Sequence, residues 1–411
     1  MAQLNITLNQ DEILQLLSTD RDDAFKILLQ ESLNSILQAE STAQLGAEKY
    51  ERSDSRCDSR NGSRERTLNT RVGTITLTVP RHRNVPFKTL VFDNYSRSEA
   101  ALVNAMAEMV VNGISTRKVS KVMETLCGEH ISKSAVSEVC KDLDTSVKAF
   151  KNRPLVNDYP FVFVDATYFK MHGEHRIESR ALMVAMAFAE DGTREIIGLE
   201  VYDNESSETW RSFLESLKSR GLSGVQMITS DSHPGIIYAI SKVFPDVPWQ
   251  RCQTHFSRNI LESTPKKYQK AVQAALLEMY HSDSIEEARK IRDCIIDEYQ
   301  NVAEKAMECL DCGFDDAMTV MTLPKTYRKY LRTSNYLERI NKELKRRSKV
   351  ITIFPNEASI LRLMGSVLME LHERYSLQQK MRPTAKDKKE LPNCKQELML
   401  IAHQQQKILA A

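Results

Sequence analysis

The chain has 411 residues, 41% of them hydrophobic and 27% charged. That is enough apolar content for folded cores and, at one domain per ~150 residues, for two to four domains. The longest apolar run, ALMVAMAFA at 181–189, is too short to cross a bilayer, and eight scattered Cys are too few for a disulfide scaffold. The first residues lack a basic stretch followed by an apolar one, so no secretory signal is expected and the expected location is the cytoplasm. Net charge is only +2, but it is unevenly spread. Ten basic residues between 325 and 349 face only Glu338 and Glu343, and eight Arg between 51 and 83 face four acids. Such clusters in a nearly neutral chain point to local contacts with a polyanion, against the plainer reading of solvated charged faces.

In chain order, residues 10–40 show helical spacing in two segments, one with Ile13, Leu16 and Leu17 and one with Phe25, Leu28, Leu29, Leu33, Ile36 and Leu37. Ser18 or Thr19 can cap the second. Helices this short cannot bury themselves alone, so residues 1–48 are expected to form a helical dimerisation region or to meet another domain. Residues 51–70 have no periodicity and read as an extended or flexible basic segment. VGTITLTVPRHR then alternates like a strand until Pro80. Residues 49–96 thus form an Arg-rich region with a small β element, and Arg60, Arg64, Arg66, Arg81 and Arg83 are its candidate DNA contacts.

Residues 97–153 read as helices, one from about Ser115, a break at Gly128, and a second capped by Ser132 or Ser134. That is a helix-turn-helix-like pattern, shared with many ordinary helical hairpins; Arg117, Lys118 and Lys133 would face DNA. From 161 the period changes to strands at 161–165, 180–189 and 194–202. A helix over SSETWRSFLESLKSRG, a strand at 225–229, a helix at 234–244 and a strand at 247–252 follow. This predicts an α/β class with a mixed sheet over 154–253, in an order compatible with a ribonuclease-H-like core. Residues 254–330 read as helices only, 331–376 as two further helices, and 377–411 as a polar C-terminal extension.

Two acids sit at strand ends. Asp165 follows FVFV, and Asp231 lies between the strand MIT and the helix that begins near Pro234. Alone, Asp165 reads as the opener of a turn, Asp231 as a helix cap, and Glu338 in SNYLERINKELKRR as a surface residue. Together, two strand-end Asp and a helical Glu can hold two divalent ions, Mg²⁺ or Mn²⁺, for phosphodiester displacement, with the surrounding cations Lys342, Lys345, Arg346 and Lys349 meeting phosphates. Leu337, Ile340 and Leu344 form the stripe that should pack on the sheet.

With FVFVDATYFK, MITSDSHPGI, WQRCQTHFSRNIL and LRTSNYLERINKELKRRSKVITIFPNEAS in this order, and RNGSRERTLNTRVGTITLTVPRHR before them, the chain resembles the mutator-type bacterial insertion-sequence transposases of the DDE recombinase superfamily. The resemblance covers about residues 50–365. It implies that Asp165, Asp231 and Glu338 are the catalytic, metal-binding acids of a ribonuclease-H-like core interrupted by an all-helical insertion at 254–330. It implies mainly helical N-terminal DNA-binding and dimerisation regions, binding of terminal inverted repeats and target DNA by at least a dimer, and metal-dependent cleavage and strand transfer. Ser334 stands where Thr is usual, and Ala166 and Ser232 where Gly is common. The Cys-x-x-His of the family places Cys252, His255 and Arg258 as accessories near the site; with Cys309 and Cys312 the count would also allow zinc. Rival readings are a structure-specific nuclease on the same fold and a transposase-derived repressor. Trp249 and the Met-rich run at 181–186 read as core.

Overall fold

The computed structural model describes residues 21–51, 56–70, 73–89, 91, 100–127, 132–141, 143–174, 176–377 and 381–410. The first expected helix, the expected cap of the second at Ser18 or Thr19, and the break at Gly128 lie outside these residues, as does the side chain of Lys133. The chain divides into two compact units, one up to Asp142 and one from Leu143 onward.

In the first unit, α1 (Arg21–Leu45) presents Leu29, Leu33 and Leu37 at helical spacing. The partner that this apolar stripe needs is a hairpin of the same chain, β1 (Arg60–Thr70) and β2 (Gly73–His82), through Leu68, Ile75, Leu77 and Val79. Asn34 on α1 also accepts the Thr78 N–H at 2.8 Å. Of the two expectations for 51–70, extended or flexible, the structure has the extended one from residue 60 onward, as a paired strand. β1 lacks an alternating pattern because most of its side chains are exposed, and its order comes from pairing with β2. Pro80 does not stop β2 either. It pairs with Ser63 beside a register shift in β1, a place where a missing N–H is tolerated. Three helices follow, α2 (Ala100–Val111), α3 (Thr116–Cys127) and α4 (Lys133–Lys141), around Leu102, Met106, Val119, Met123 and Val136. Ser132 Oγ accepts the Ala135 N–H at 3.1 Å, the expected cap of α4.

The second unit opens with α5 (Leu143–Asn152) and a five-stranded mixed sheet of order β5-β4-β3-β6-β7. β3 (Phe161–His172), β4 (Ile177–Phe188) and β5 (Arg194–Tyr202) form an antiparallel meander; β6 (Met227–Ser230) lies parallel to β3, and β7 (Trp249–Arg251) parallel to β6. β3 extends seven residues beyond the expected end at 165, because β4 pairs with it along its whole length. On one sheet face Val162, Val164 and Ile228 pack with Trp210, Phe213 and Leu217 of α6 (Ser207–Ser219) and Ile236 and Ile240 of α7 (Pro234–Val243). Met183 and Trp249 belong to that core, as read from the sequence.

After β7 the chain is helical: α8 (Gln253–Glu262), α9 (Gln269–His281), α10 (Ile285–Tyr299), α11 (Glu304–Met318) and α12 (Lys325–Leu331), the first four sharing a core of Phe256, Ile260, Leu276, Leu310 and Phe314. Then come α13 (Asn335–Ser348) and α14 (Glu357–Ser376). On the second sheet face, Phe161, Phe163 and Phe188 meet the rings of Tyr327, Tyr330 and Tyr336. Among the described residues, no helix is long and apolar enough to cross a membrane.

The polar tail contributes to the core, against expectation. It forms α15 (Ala385–Glu390) and α16 (Lys395–Ala410), with Met381, Leu398 and Ala402 buried. Gln405 acts as a one-residue strand on the edge of β7. Its Oε1 accepts the Trp249 N–H at 2.9 Å, and its Nε2 donates to the Trp249 carbonyl at 2.8 Å and to Asp316 Oδ1 at 2.8 Å. Gln405→Ala removes the partner of the Trp249 N–H and of Asp316 Oδ1, while the Trp249 carbonyl keeps a bond from Thr319 Oγ1 at 3.2 Å, and is expected to cost about 1–3 kcal/mol. A melting midpoint equal to that of the unaltered chain would show that water replaces the amide without loss.

Candidate active site

The spacing between the two Asp is a property of the sheet. In the parallel ladder Phe161 pairs with Met227, Val162 with Ile228 and Phe163 with Thr229, an offset of 66 throughout. Asp165 and Asp231 have the same offset, so the register sets one beside the other where β6 has ended and β3 runs on. Asp165 is not a turn residue: it lies within β3 opposite Val184. Its Oδ1 accepts the Ala166 N–H at 2.9 Å and its Oδ2 accepts Asn341 Nδ2 at 2.9 Å. Asp231 is not the cap of α7. His233 takes that place, its Nδ1 accepting from the Gly235 N–H, while Asp231 Oδ1 accepts only a long bond from the His233 N–H at 3.3 Å.

Burial first, and the Asp231 carboxylate second, push Asp165 up to about 7. The folded value lies above the unfolded value of about 4, so this stability is fully present below pH ~4 and is lost as pH rises through ~7. In chelator, Asp165→Asn removes this titration, so its stability relative to the unaltered chain is expected to rise by up to about 4 kcal/mol from pH 4–5 to pH 8, on top of a pH-independent cost for losing the acceptor of either the Ala166 N–H or Asn341 Nδ2. A pH-independent difference in melting midpoint would contradict this account.

Glu338 lies in the first turn of α13, whose Leu337, Ile340 and Leu344 are fully buried as the spacing predicts. Glu338 Oε1 stands 3.4 Å from His255 Nε2 and 3.6 Å from Arg258 Nη2, buried but, among the described residues, without a hydrogen bond. His255 is raised above its ordinary value by the Cys252 thiol first, against burial, with help from the Asp165 and Glu338 carboxylates. It thus stands against Glu338 and within the field of Asp165. Cys252 itself is buried. Its Sγ accepts from Ser334 N (3.2 Å) and Oγ (3.1 Å), and Gln253 N donates to the Arg332 carbonyl, so the start of α8 is fastened to the start of α13. Burial works to raise this thiol, but His255 and Ser334 outweigh it and hold it below its ordinary value.

The donor chemistry of Asp165, Asp231 and Glu338 suits a hard divalent cation: all oxygen, one pair in mutual repulsion, and a buried Oε1 lacking a hydrogen bond. Among the described residues, however, no three His, Cys, Asp or Glu side chains stand close enough together to hold an ion. The structure brings Asp165 and Asp231 together, and holds Glu338 on His255 and Arg258. The zinc alternative finds no such grouping either, with Cys309 and Cys312 on α11.

Of the expected DNA contacts, Arg64, Arg81, Arg83, Arg117, Lys118, Lys342 and Lys349 are exposed. Arg60 instead binds Thr42 Oγ1 and the Ala47 carbonyl, and Arg66 is half-buried. Lys345 reaches back to the Tyr168 carbonyl (2.6 Å) and over the Phe169 ring, and Arg346 chelates Glu343. Two residues escaped the sequence reading. Asn341 gave no signal beyond its place three residues after Glu338. Glu205, in the loop before α6, adds its negative charge to that of Asp231 in the field at Asp165.

Residues 1–378 match the sequence profile of the family described as "Transposase, Mutator family". The chain is 41% identical over 379 residues to "Transposase for insertion sequence element IS256 in transposon Tn4001" of Staphylococcus aureus, covering 91% of this chain and 97% of that protein. It is 37% identical over 353 residues to "Transposase for insertion sequence element ISRM5" of Rhizobium meliloti, covering 86% and 89%. It is 35% identical over 355 residues to "Transposase for insertion sequence element IS1081" of Mycobacterium tuberculosis, covering 86% of each.

Proposed function

The chain belongs to the Mutator family of transposases, and from that premise we propose that it binds the terminal inverted repeats of an insertion sequence and catalyses DNA strand cleavage and strand transfer. The observation that carries this reading is the register that sets Asp165 beside Asp231, with Glu338 held by His255, a residue that also feels the Asp165 charge. The sheet order and the helical block between β7 and α13 support a ribonuclease-H-like core with a helical insertion.

Asp165, Asp231 and Glu338 would hold Mg²⁺ or Mn²⁺, two ions per site. Such ions supply an acidified water and offset charge on the attacking and leaving oxygens. His255 and Arg258 orient Glu338, and the exposed cations Arg258, Lys342 and Lys349 draw the phosphates to it. In the first step, water attacks a phosphodiester and the departing 3′-oxygen takes a proton. In the second, that 3′-OH attacks another phosphodiester and displaces its own 3′-oxygen, so no covalent enzyme intermediate is needed. Specific recognition belongs in this reading to the first unit, through Arg64, Arg81 and Arg83 on the hairpin region and Arg117 and Lys118 on α3. Joining two ends calls for at least a dimer.

The test is to incubate the protein with DNA carrying its own element's ends, in Mg²⁺ or in chelator, and to map the products. Metal-dependent 3′-OH ends that become joined to new DNA are expected. Cleavage without joining would leave the structure-specific nuclease, and specific binding without cleavage the repressor. The intact set of three acids favours the enzyme over that last alternative.

A further inference from the structure

Asn341 lies one turn beyond Glu338 on α13, and its side chain crosses to β3, where Nδ2 donates to Asp165 Oδ2 at 2.9 Å. The other carboxylate oxygen, Oδ1, accepts the Ala166 N–H. Each oxygen of Asp165 thus has one fixed donor, which sets the plane of the carboxylate. The orientation of the amide follows from its chemistry, since the reverse would place two acceptors against each other. Asn341 Oδ1 is then left buried with no hydrogen bond among the described residues, an acceptor that a water in the site would satisfy.

Resting on the metal-dependent reading above, we propose that Asn341 is a positioning residue that presets the Asp165 carboxylate beside Asp231 for a divalent cation. Fastening α13 to the sheet does not require it. Leu337, Ile340 and Leu344 already bury that helix, Lys345 binds the Tyr168 carbonyl, and Ser334 binds Cys252. Only Asn341 reaches from this helix to a carboxylate of the strand-end pair by a hydrogen bond, among the described residues. Partners of this kind orient metal-binding carboxylates, and their loss weakens metal affinity by about 10–100-fold.

The experiment is a Mn²⁺ titration of the full chain, with free Mn²⁺ read by electron paramagnetic resonance, on the unaltered protein, Asn341→Leu, Asn341→Ser and Asp165→Asn. Both Asn341 variants are expected to bind Mn²⁺ about 10–100-fold more weakly, to melt cooperatively in chelator, and to recover end cleavage at raised Mn²⁺. Asp165→Asn should not recover. If Asn341→Leu fails to fold, Asn341→Ser, which removes the amide without adding apolar bulk, decides alone. Unchanged Mn²⁺ affinity in the folded Asn341 variants, with affinity lost in Asp165→Asn, would overturn the positioning role and leave the metal reading standing. Unchanged affinity in Asp165→Asn would remove the metal reading itself, and the proposal with it.

Discussion

Asp231→Asn is expected to reduce strand cleavage by about 10³-fold or more, equivalent to about 4 kcal/mol of transition-state stabilisation, while specific binding to end DNA persists. The substitution conserves volume and keeps an oxygen that can accept the His233 N–H, the one hydrogen bond that Asp231 Oδ1 makes within the described residues. What it removes is charge, at the position that the parallel register places beside Asp165. Cleavage and binding therefore separate: the first depends on the carboxylate, the second on cations elsewhere. The readout is product formation on labelled end DNA, alongside a binding isotherm at the same salt. Cleavage at the unaltered rate would exclude Asp231 from the chemistry and reduce the strand-end pair to a structural feature.

Glu338→Gln should abolish cleavage to a similar degree, but with DNA affinity unchanged or raised. The variant removes a negative charge from the start of a basic helix and releases His255 and Arg258 from its carboxylate. Phosphates then meet a more positive surface, so the salt dependence of binding should not fall. Lys342→Ala on the same helix is the contrasting control. Its side chain is exposed, and its loss should lower the salt slope by about 1 if it contacts a phosphate. Lys345 is a poorer probe than its position in the sequence indicates, because it is occupied with the Tyr168 carbonyl. If Glu338→Gln still cleaved, neither Glu343 nor Glu357 would be the replacement. Glu343 is held at about 2, first by Arg346 and also by Arg347, and Glu357 is paired with Arg180. Glu205 would be the acid to test next, since its charge is felt at Asp165.

Local pattern was enough for much of this protein. Alternation and β-branched runs marked β3 to β7, apolar spacing marked α6, α7 and α13, and the three acids stood out against such surroundings. Each of these signals lies within a few residues of chain, where side-chain period alone decides which face is buried. Even the Asp165–Asp231 offset could be counted from the sequence, though its meaning as a sheet register could not. What needed the tertiary structure was every partner distant in sequence. β1 is ordered by β2 rather than by its own pattern, the polar tail is fastened through Gln405 to the edge of β7, and Cys252 is satisfied by Ser334. Asn341, 176 positions from Asp165, looked like an ordinary polar residue on a charged helix until the fold placed it on that carboxylate. Charge was the least legible property. Arg60 is half-buried and bonded within the protein, Lys345 and Arg346 are exposed yet engaged by the Tyr168 carbonyl and Glu343, and Arg64 and Lys342 are exposed; no composition rule separates them. Hydrogen bonding and desolvation act over a few ångströms of space, and the distance along the chain between the groups concerned carries no trace of them.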